Sequence, residues 1–433
     1  MLADTAIFDH AWSEELIKNI GQVTVGGTPS TSVEKYWGGE IPWMSSGDVH
    51  LKRVHDVPGR ISELGLRSSN ATFVDPPAVA IGLAGQGKTR GTVALVLTPL
   101  CTNQSVALIQ GKEGKLDIFY LFYNLEFRYQ ELRSRSAGGG RAGLSKGILE
   151  RLPITLPNIS DQRAISLVLS TIDRAIEQTE AIIAKQQRIK TGLMQDLLTK
   201  GIDENGNVRS EATHQFKDSP LGRIPIEWDA KSLDKIASHI IDCPHTTPSF
   251  TEGGVLVART FNISDGVFSL ENASFINETE YGGRVSRLEP RPDDLIFTRE
   301  APVGEVFVIP EGMRVCLGQR TMLIRCNETF LSPSYLLESL YSEEMRIRFD
   351  RMVGGTTNPH LNVADVRSLL IKQPKPQEQI LIANILAEIR LSLCAAQEHK
   401  LKLQLSKTGL MQDLLTGNVR VTALLNDPKT ANI

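Results

Sequence analysis

Gly82-Leu-Ala-Gly-Gln-Gly-Lys88-Thr89 has the spacing of a phosphate-binding loop and follows an apolar run, so nucleotide binding is the first chemistry to consider. That mechanism needs a helix to begin at the Lys-Thr pair, because the helix amides and dipole must meet the phosphates. Here Arg90-Gly91-Thr92-Val93 and a β-like run ending at Pro99 follow instead, and no acidic strand end stands ready for magnesium. A Gly-rich loop presenting Gln86, Lys88, Thr89 and Arg90 to a polyanion fits these residues better. A nucleotide-dependent enzyme built on this loop stays as an alternative. Asp75-Pro-Pro-Ala78 has the outline of the Asp-Pro-Pro-aromatic loop of amino-methyltransferases, but Ala78 stands where a ring would stack on a flipped base. The eight histidines show no metal-ligand spacing, and no Ser/His/Asp or Cys/His set stands out. The five cysteines are scattered and read as reduced core thiols.

What remains is polar, loop-borne and suited to nucleic acid. The first half offers Thr28 and Ser30 in Gly26-Gly-Thr-Pro-Ser, Ser45 and Ser46 in Ile41-Pro-Trp-Met-Ser-Ser-Gly-Asp48, and the pair Asn103 and Gln104. The second offers His245 and Thr246 in Cys243-Pro-His-Thr-Thr-Pro248, then Arg259, Asn262, Arg299, Gln319, Arg320, Asn358 and His360. Arginine reads guanine edges, Asn and Gln read adenine edges, and hydroxyls position phosphates. Arg141 lies in a basic stretch with Arg128, Arg133, Arg135, Lys146 and Arg151, interrupted only by Glu131 and Glu150. This is local positive charge in a chain whose net charge is -3 and whose pI is near 6.3, values that argue against a free-standing nucleic-acid binder.

These loops must be held by a larger frame, and the frame is duplicated. Residues 190–199, Lys-Thr-Gly-Leu-Met-Gln-Asp-Leu-Leu-Thr, recur unchanged as 407–416. At the same offset Gln162 pairs with Gln379, Ile165 with Ile382, Leu169 with Leu386 and Pro157 with Pro374. Further upstream the offset slips, so that Trp12 matches Trp228 and Cys101-Thr-Asn-Gln104 matches Cys316-Leu-Gly-Gln319. Gly206-Asn-Val-Arg209 matches Gly417-Asn-Val-Arg420. Within each repeat, Ile165, Leu169, Ile172, Ile176, Thr179, Ile183 and Gln186, and their counterparts from Ile382 to Leu414, alternate spacings of four and three. That is a coiled-coil seam, and it predicts two helices of about 60 Å that pair antiparallel. Gly192 and Gly409 inside them suggest close backbone packing.

Between the helices, β-rich stretches at 78–83, 92–97, 105–109, 255–258, 294–298, 305–309 and 321–324 alternate with turns, and single helices are expected at 118–133 and 335–348. The expected architecture is α+β, two mixed α/β domains in pseudo-twofold arrangement separated by the helix pair. The boundaries are 1–156 and 223–373 for the domains, 157–200 and 374–417 for the helices, 201–222 for a connector and 418–433 for a tail. No run of about 18 apolar residues is expected to cross a membrane, the start has no leader pattern, and the chain reads as cytoplasmic.

Taken together, the duplicated helices, the Gly-Gly-Thr-Pro and Ile-Pro-Trp segments, the Gly82 loop, Cys243-Pro-His-Thr-Thr-Pro248 and the stretch 354–362 resemble the specificity subunit of type I restriction-modification enzymes, over nearly the whole chain. The resemblance implies two target-recognition domains, each reading half of an asymmetric bipartite site in double-stranded DNA, with the helices setting the spacer. It also implies that two modification subunits dock on the helices and that restriction subunits join them. No cofactor belongs to this chain; S-adenosylmethionine, ATP and magnesium are expected in the partners. The second copy has Thr298-Arg-Glu-Ala-Pro-Val-Gly304 in place of the Gly82 loop, so the two domains are expected to read different sequences. A coiled-coil scaffold whose lobes bind protein remains a further alternative.

Overall fold

The computed structural model describes residues 12–85, 87–135, 143–354 and 359–421. They form two compact units, the first from residues up to 180 together with those from 399 onward, the second from residues 181–398.

In the first unit the apolar runs form a five-stranded sheet in the order Gly21–Val25, Val106–Gly111, Ala78–Gly82, Val93–Val96, Arg53–Val54. The second unit repeats this as Ala237–Asp242, Thr321–Cys326, Leu295–Thr298, Val306–Val308, without the fifth strand. The central strands are buried on both faces, which is why they read as unbroken apolar runs rather than alternating ones. A second, three-stranded sheet in each unit has a parallel pair: Trp43 lies beside Cys101 in the first, and Val257 beside Cys316 in the second. Each unit is closed by a short antiparallel pair, Ser13–Leu16 with Pro153–Leu156 and Asp229–Ser232 with Leu370–Gln373.

The expected single helices are each broken in two, Ile118–Phe127 and Tyr129–Ser134 in the first unit, Pro333–Leu340 and Glu343–Val353 in the second. At the second break Ser342 restarts the helix by accepting a hydrogen bond from the Met345 amide. Tyr120 and Tyr335 lie buried on these helices and donate equivalent hydrogen bonds to Thr155 O and Lys372 O.

The long helices span Ile159–Leu197 and Pro376–Thr416. Each begins with a buried glutamine fixed by three hydrogen bonds. Gln162 donates to Lys115 O and Pro157 O and accepts from the Asp117 amide; Gln379 donates to Phe330 O and Pro374 O and accepts from the Ser332 amide. Within the first unit Lys407 pairs with Asp173 and Lys400 with Glu180, each at 2.8 Å, so the helices run antiparallel there. Lys407 also meets Glu126, and Asp173 accepts from the Tyr123 hydroxyl, so the polar seam position is a satisfied cluster rather than a gap in the core. Within the second unit Gln186 donates to Ser392 and the Ile202 amide to Glu378, again antiparallel.

Two expectations change here. Gly192 and Gly409 have open space where a Cβ would stand, so they do not mark close packing. The second long helix is long and apolar enough to cross a membrane by length and composition alone. Ile382, Ala383 and Leu386 are buried in the core of the second unit, but only 28% of the apolar window is buried, and Ile380 and Leu391 on the same helix are exposed. The first long helix stops at Gly201, in line with the expected boundary at 200: Gly201 has φ +68°, and a Cβ there would collide with Trp228. Gly417, at φ +77°, faces Trp12 at ordinary contact distance. The residues between Gly201 and Arg209 are an inserted turn closed by the bridge of Ile202 to Val208.

Candidate nucleic-acid interface

Gly82 ends its strand, and the chain returns antiparallel at Val93 through a hairpin, with the Gly91 amide donating to Gly82 O. No helix starts at Lys88, so the phosphate-loop geometry is absent. The hairpin is tied down from one side: the Tyr129 hydroxyl and the Arg133 guanidinium donate to Lys88 O and Gly87 O. Lys88 is exposed, Thr89 meets His50 at 3.2 Å, and Arg90 is half-buried. Gln86, Arg141 and Asn358 lie outside the described residues. Ala78, the decoy position of the Asp-Pro-Pro segment, opens a central strand and is fully buried.

The loop at 26–30 hangs from two indoles, with Trp43 donating to Gly27 O at 3.0 Å and Trp37 to Ser30 O at 3.2 Å. The tryptophans therefore position this loop. The Thr28 hydroxyl donates to Gln104, which comes from the loop after the parallel strand. Asn103 accepts from the Ser105 amide and shapes that turn. Ser45 is held by Asp48 through both its amide and its hydroxyl, Ser46 is half-buried beside it, and Ser30 is exposed and shares a hydrogen bond with Ser32.

The second unit builds the same pairing from different residues. Gln319 donates to the Thr247 hydroxyl at 3.1 Å and to His245 O at 3.2 Å. Thr247, which the sequence reading passed over for Thr246, is the structural counterpart of Thr28, and Thr247-Pro248 against Thr28-Pro29 is the signal that would have found it. Thr246 supplies its carbonyl to Arg284. His245 is exposed, with Asp242 3.2 Å away. Exposed Arg320 pairs with Glu300, and exposed His360 bridges to Glu300 through the backbone.

Two candidates in this unit are structural. Asn262 is buried and donates to Ser269 O and Glu271 O, so its amide is engaged by the backbone of a turn. Arg299 forms a largely buried ion pair with Asp242 and donates to Leu361 O. Part of the charge in the basic stretch of the first unit is taken up within it: Glu131 takes Arg128 and Arg135 at 2.7 Å each, and Lys146 meets Glu150. Those two guanidinium groups hold the Glu131 carboxyl down at about 2, against an ordinary value of 4.5.

A cavity of about 340 Å³ opens among these loops, lined by Thr247, Phe250, Arg259, Phe261, Gln319 and Arg320. Phe250 and Phe261 are large exposed rings that sequence reasoning had missed. A wider cavity of about 870 Å³ lies against the first long helix, but Glu343 and Glu344 stand among its arginines, so its lining does not suit a polyanion. Among the described residues no group of His, Cys, Asp and Glu side chains gathers as a metal site.

In both units the exposed polar side chains converge from three separate loops onto one end of a rigid sheet, an arrangement that suits reading base edges and phosphates rather than bond-making. The chain belongs to the family of type I restriction modification DNA specificity domains, whose model matches residues 10–186 and 264–405. This makes it a non-catalytic, DNA-recognising chain of a type I restriction-modification system. It is 26% identical over 350 residues to the MjaVIII specificity subunit of Methanocaldococcus jannaschii, covering 79% of each chain. It is also 26% identical to the MjaIX specificity subunit of the same organism, covering 95% of this chain and 94% of that one. In fold it is similar to the S subunit of the type I restriction-modification system from M. genitalium, with a TM-score of 0.62 at 15% identity over 96% of this chain and 98% of that one.

Proposed function

We propose that each unit reads one half of an asymmetric bipartite site in double-stranded DNA, and that the helix pair fixes the gap between the halves. The observation that carries this is the repeated Thr–Gln pairing, Thr28 with Gln104 and Thr247 with Gln319, surrounded by loops of different chemistry. One frame displays two unlike sets of side chains, as two different half-sites require.

Two modification subunits dock on the helices in this reading, and restriction subunits complete the complex in the cytoplasm. Exposed apolar residues support the docking: Ile380 and Leu391 on the second long helix in the second unit, and Leu401 and Leu405 in the first. S-adenosylmethionine, ATP and magnesium belong to those partners. Replacing Lys88 and Arg90 together by alanine tests the assignment of the first unit. In the complex with modification subunits, methylation is expected to lose dependence on one half-site while the other half-site and the gap stay as they were. Equal loss at both halves would remove the hairpin from recognition.

A further inference from the structure

Arg259 lines the 340 Å³ cavity, its guanidinium carbon 4.6 Å from the Phe261 ring centre and 5.3 Å from that of Phe250. Both rings are about half exposed. Exposed phenyl groups gain nothing from water, and two of them on one guanidinium fix the plane of that group. The guanidinium is planar, with its N–H donors in the plane, so the rings restrict hydrogen bonding to its edge. Ser274 takes one nitrogen at 3.4 Å.

The other cations of these loops are engaged by acids, Arg320 by Glu300 and Arg299 by Asp242, whereas no ion pair reaches Arg259 among the described residues. A flat, oriented donor edge without a carboxylate matches two coplanar acceptors at fixed spacing. In the major groove those are O6 and N7 of guanine.

The first unit differs at this place. Ser45 lies two residues beyond Trp43, the neighbour of Cys101, as Arg259 lies two beyond Val257, the neighbour of Cys316. The Ser45 hydroxyl is held by Asp48.

Resting on the DNA-reading assignment above, we propose that Arg259, oriented by Phe250 and Phe261, reads a guanine in the half-site of the second unit, and that Ser45, at the matching place in the first unit, does not. The test uses the chain assembled with its modification subunits. The methylated motif of the unaltered complex is mapped, and methyl transfer is then measured on duplexes in which each base pair of the motif is replaced in turn. Arg259→Ala and Arg259→Lys are both expected to lose discrimination at one G·C pair of one half-site, by on the order of tenfold to a hundredfold, with every other position and the gap unchanged. Lysine fails because a point charge cannot present the planar edge. Phe261→Leu, a change at an exposed ring, is expected to give a smaller loss at that same pair.

Loss spread evenly over all positions would make Arg259 a phosphate contact and overturn the proposal, as would an unaltered base preference. An unaltered complex that methylates no bipartite motif would overturn the DNA-reading assignment itself, and this inference with it.

Discussion

Glu378→Ala is expected to destabilise the second unit by about 3–5 kcal/mol, the range for removing one partner of a buried ion pair. The Glu378 carboxylate is 11% exposed and faces Arg209, which is 10% exposed. It also accepts from the Ile202 amide at 2.9 Å and from the Trp228 indole at 3.1 Å. Alanine would leave a buried guanidinium and two N–H groups without their acceptor. The first copy supplies an internal control. Its counterpart, Asp161, is one methylene shorter and bonds to Asn158 at the helix start, and the Trp12 indole N–H has no acceptor among the described residues. Asp161→Ala is therefore expected to cost only about 1 kcal/mol, as for a lost cap. Urea denaturation of both variants, with Trp228 fluorescence reporting on the second unit, checks this; equal small effects would mean that the Glu378 cluster is not cooperative.

Inserting one heptad into each long helix, at opposed positions near residues 183 and 397, is expected to lengthen the gap of the recognised motif without changing either half-site. Seven residues preserve the 3.5-residue period of the seam, so the ion pairs of Lys407 with Asp173 and Lys400 with Glu180 survive. The insertion adds about 10 Å at 1.5 Å per residue. At about 3.4 Å per base pair, that is an increase of up to about three pairs. Mapping methylated adenines in cells carrying the altered chain with its modification subunits reads the gap directly. A changed half-site sequence would contradict the helices' role as a spacer.

The long helices were legible because an exact repeat and a strict period of apolar residues leave few other folds. The buried glutamines Gln162 and Gln379 were visible as an identical pair, though their triple bonding was not. The recognition loops were legible only as compositions. Thr28 and Gln104 are 76 residues apart, and Thr247 and Gln319 are 72 apart, so only the parallel strand pairs bring them together. Asn262 and Arg299 misled because a polar side chain in a turn looks the same whether it faces a groove or its own backbone. Part of the basic stretch could have been discounted from the sequence: Arg128, Glu131 and Arg135 stand at spacings of three and four, the helical spacing of ion pairs. The Gly82 loop was legible as a poor phosphate site, with nucleotide chemistry kept only as an alternative, because β-like residues follow it, and the hairpin to Val93 is the reason.

The most direct test of the central claim is to express the chain with a modification subunit and map every methylated adenine in the host genome. The account predicts one asymmetric bipartite motif with a fixed gap, one half of which changes when residues 86–90 are replaced. Methylation without such a motif, or a motif indifferent to those residues, would contradict it.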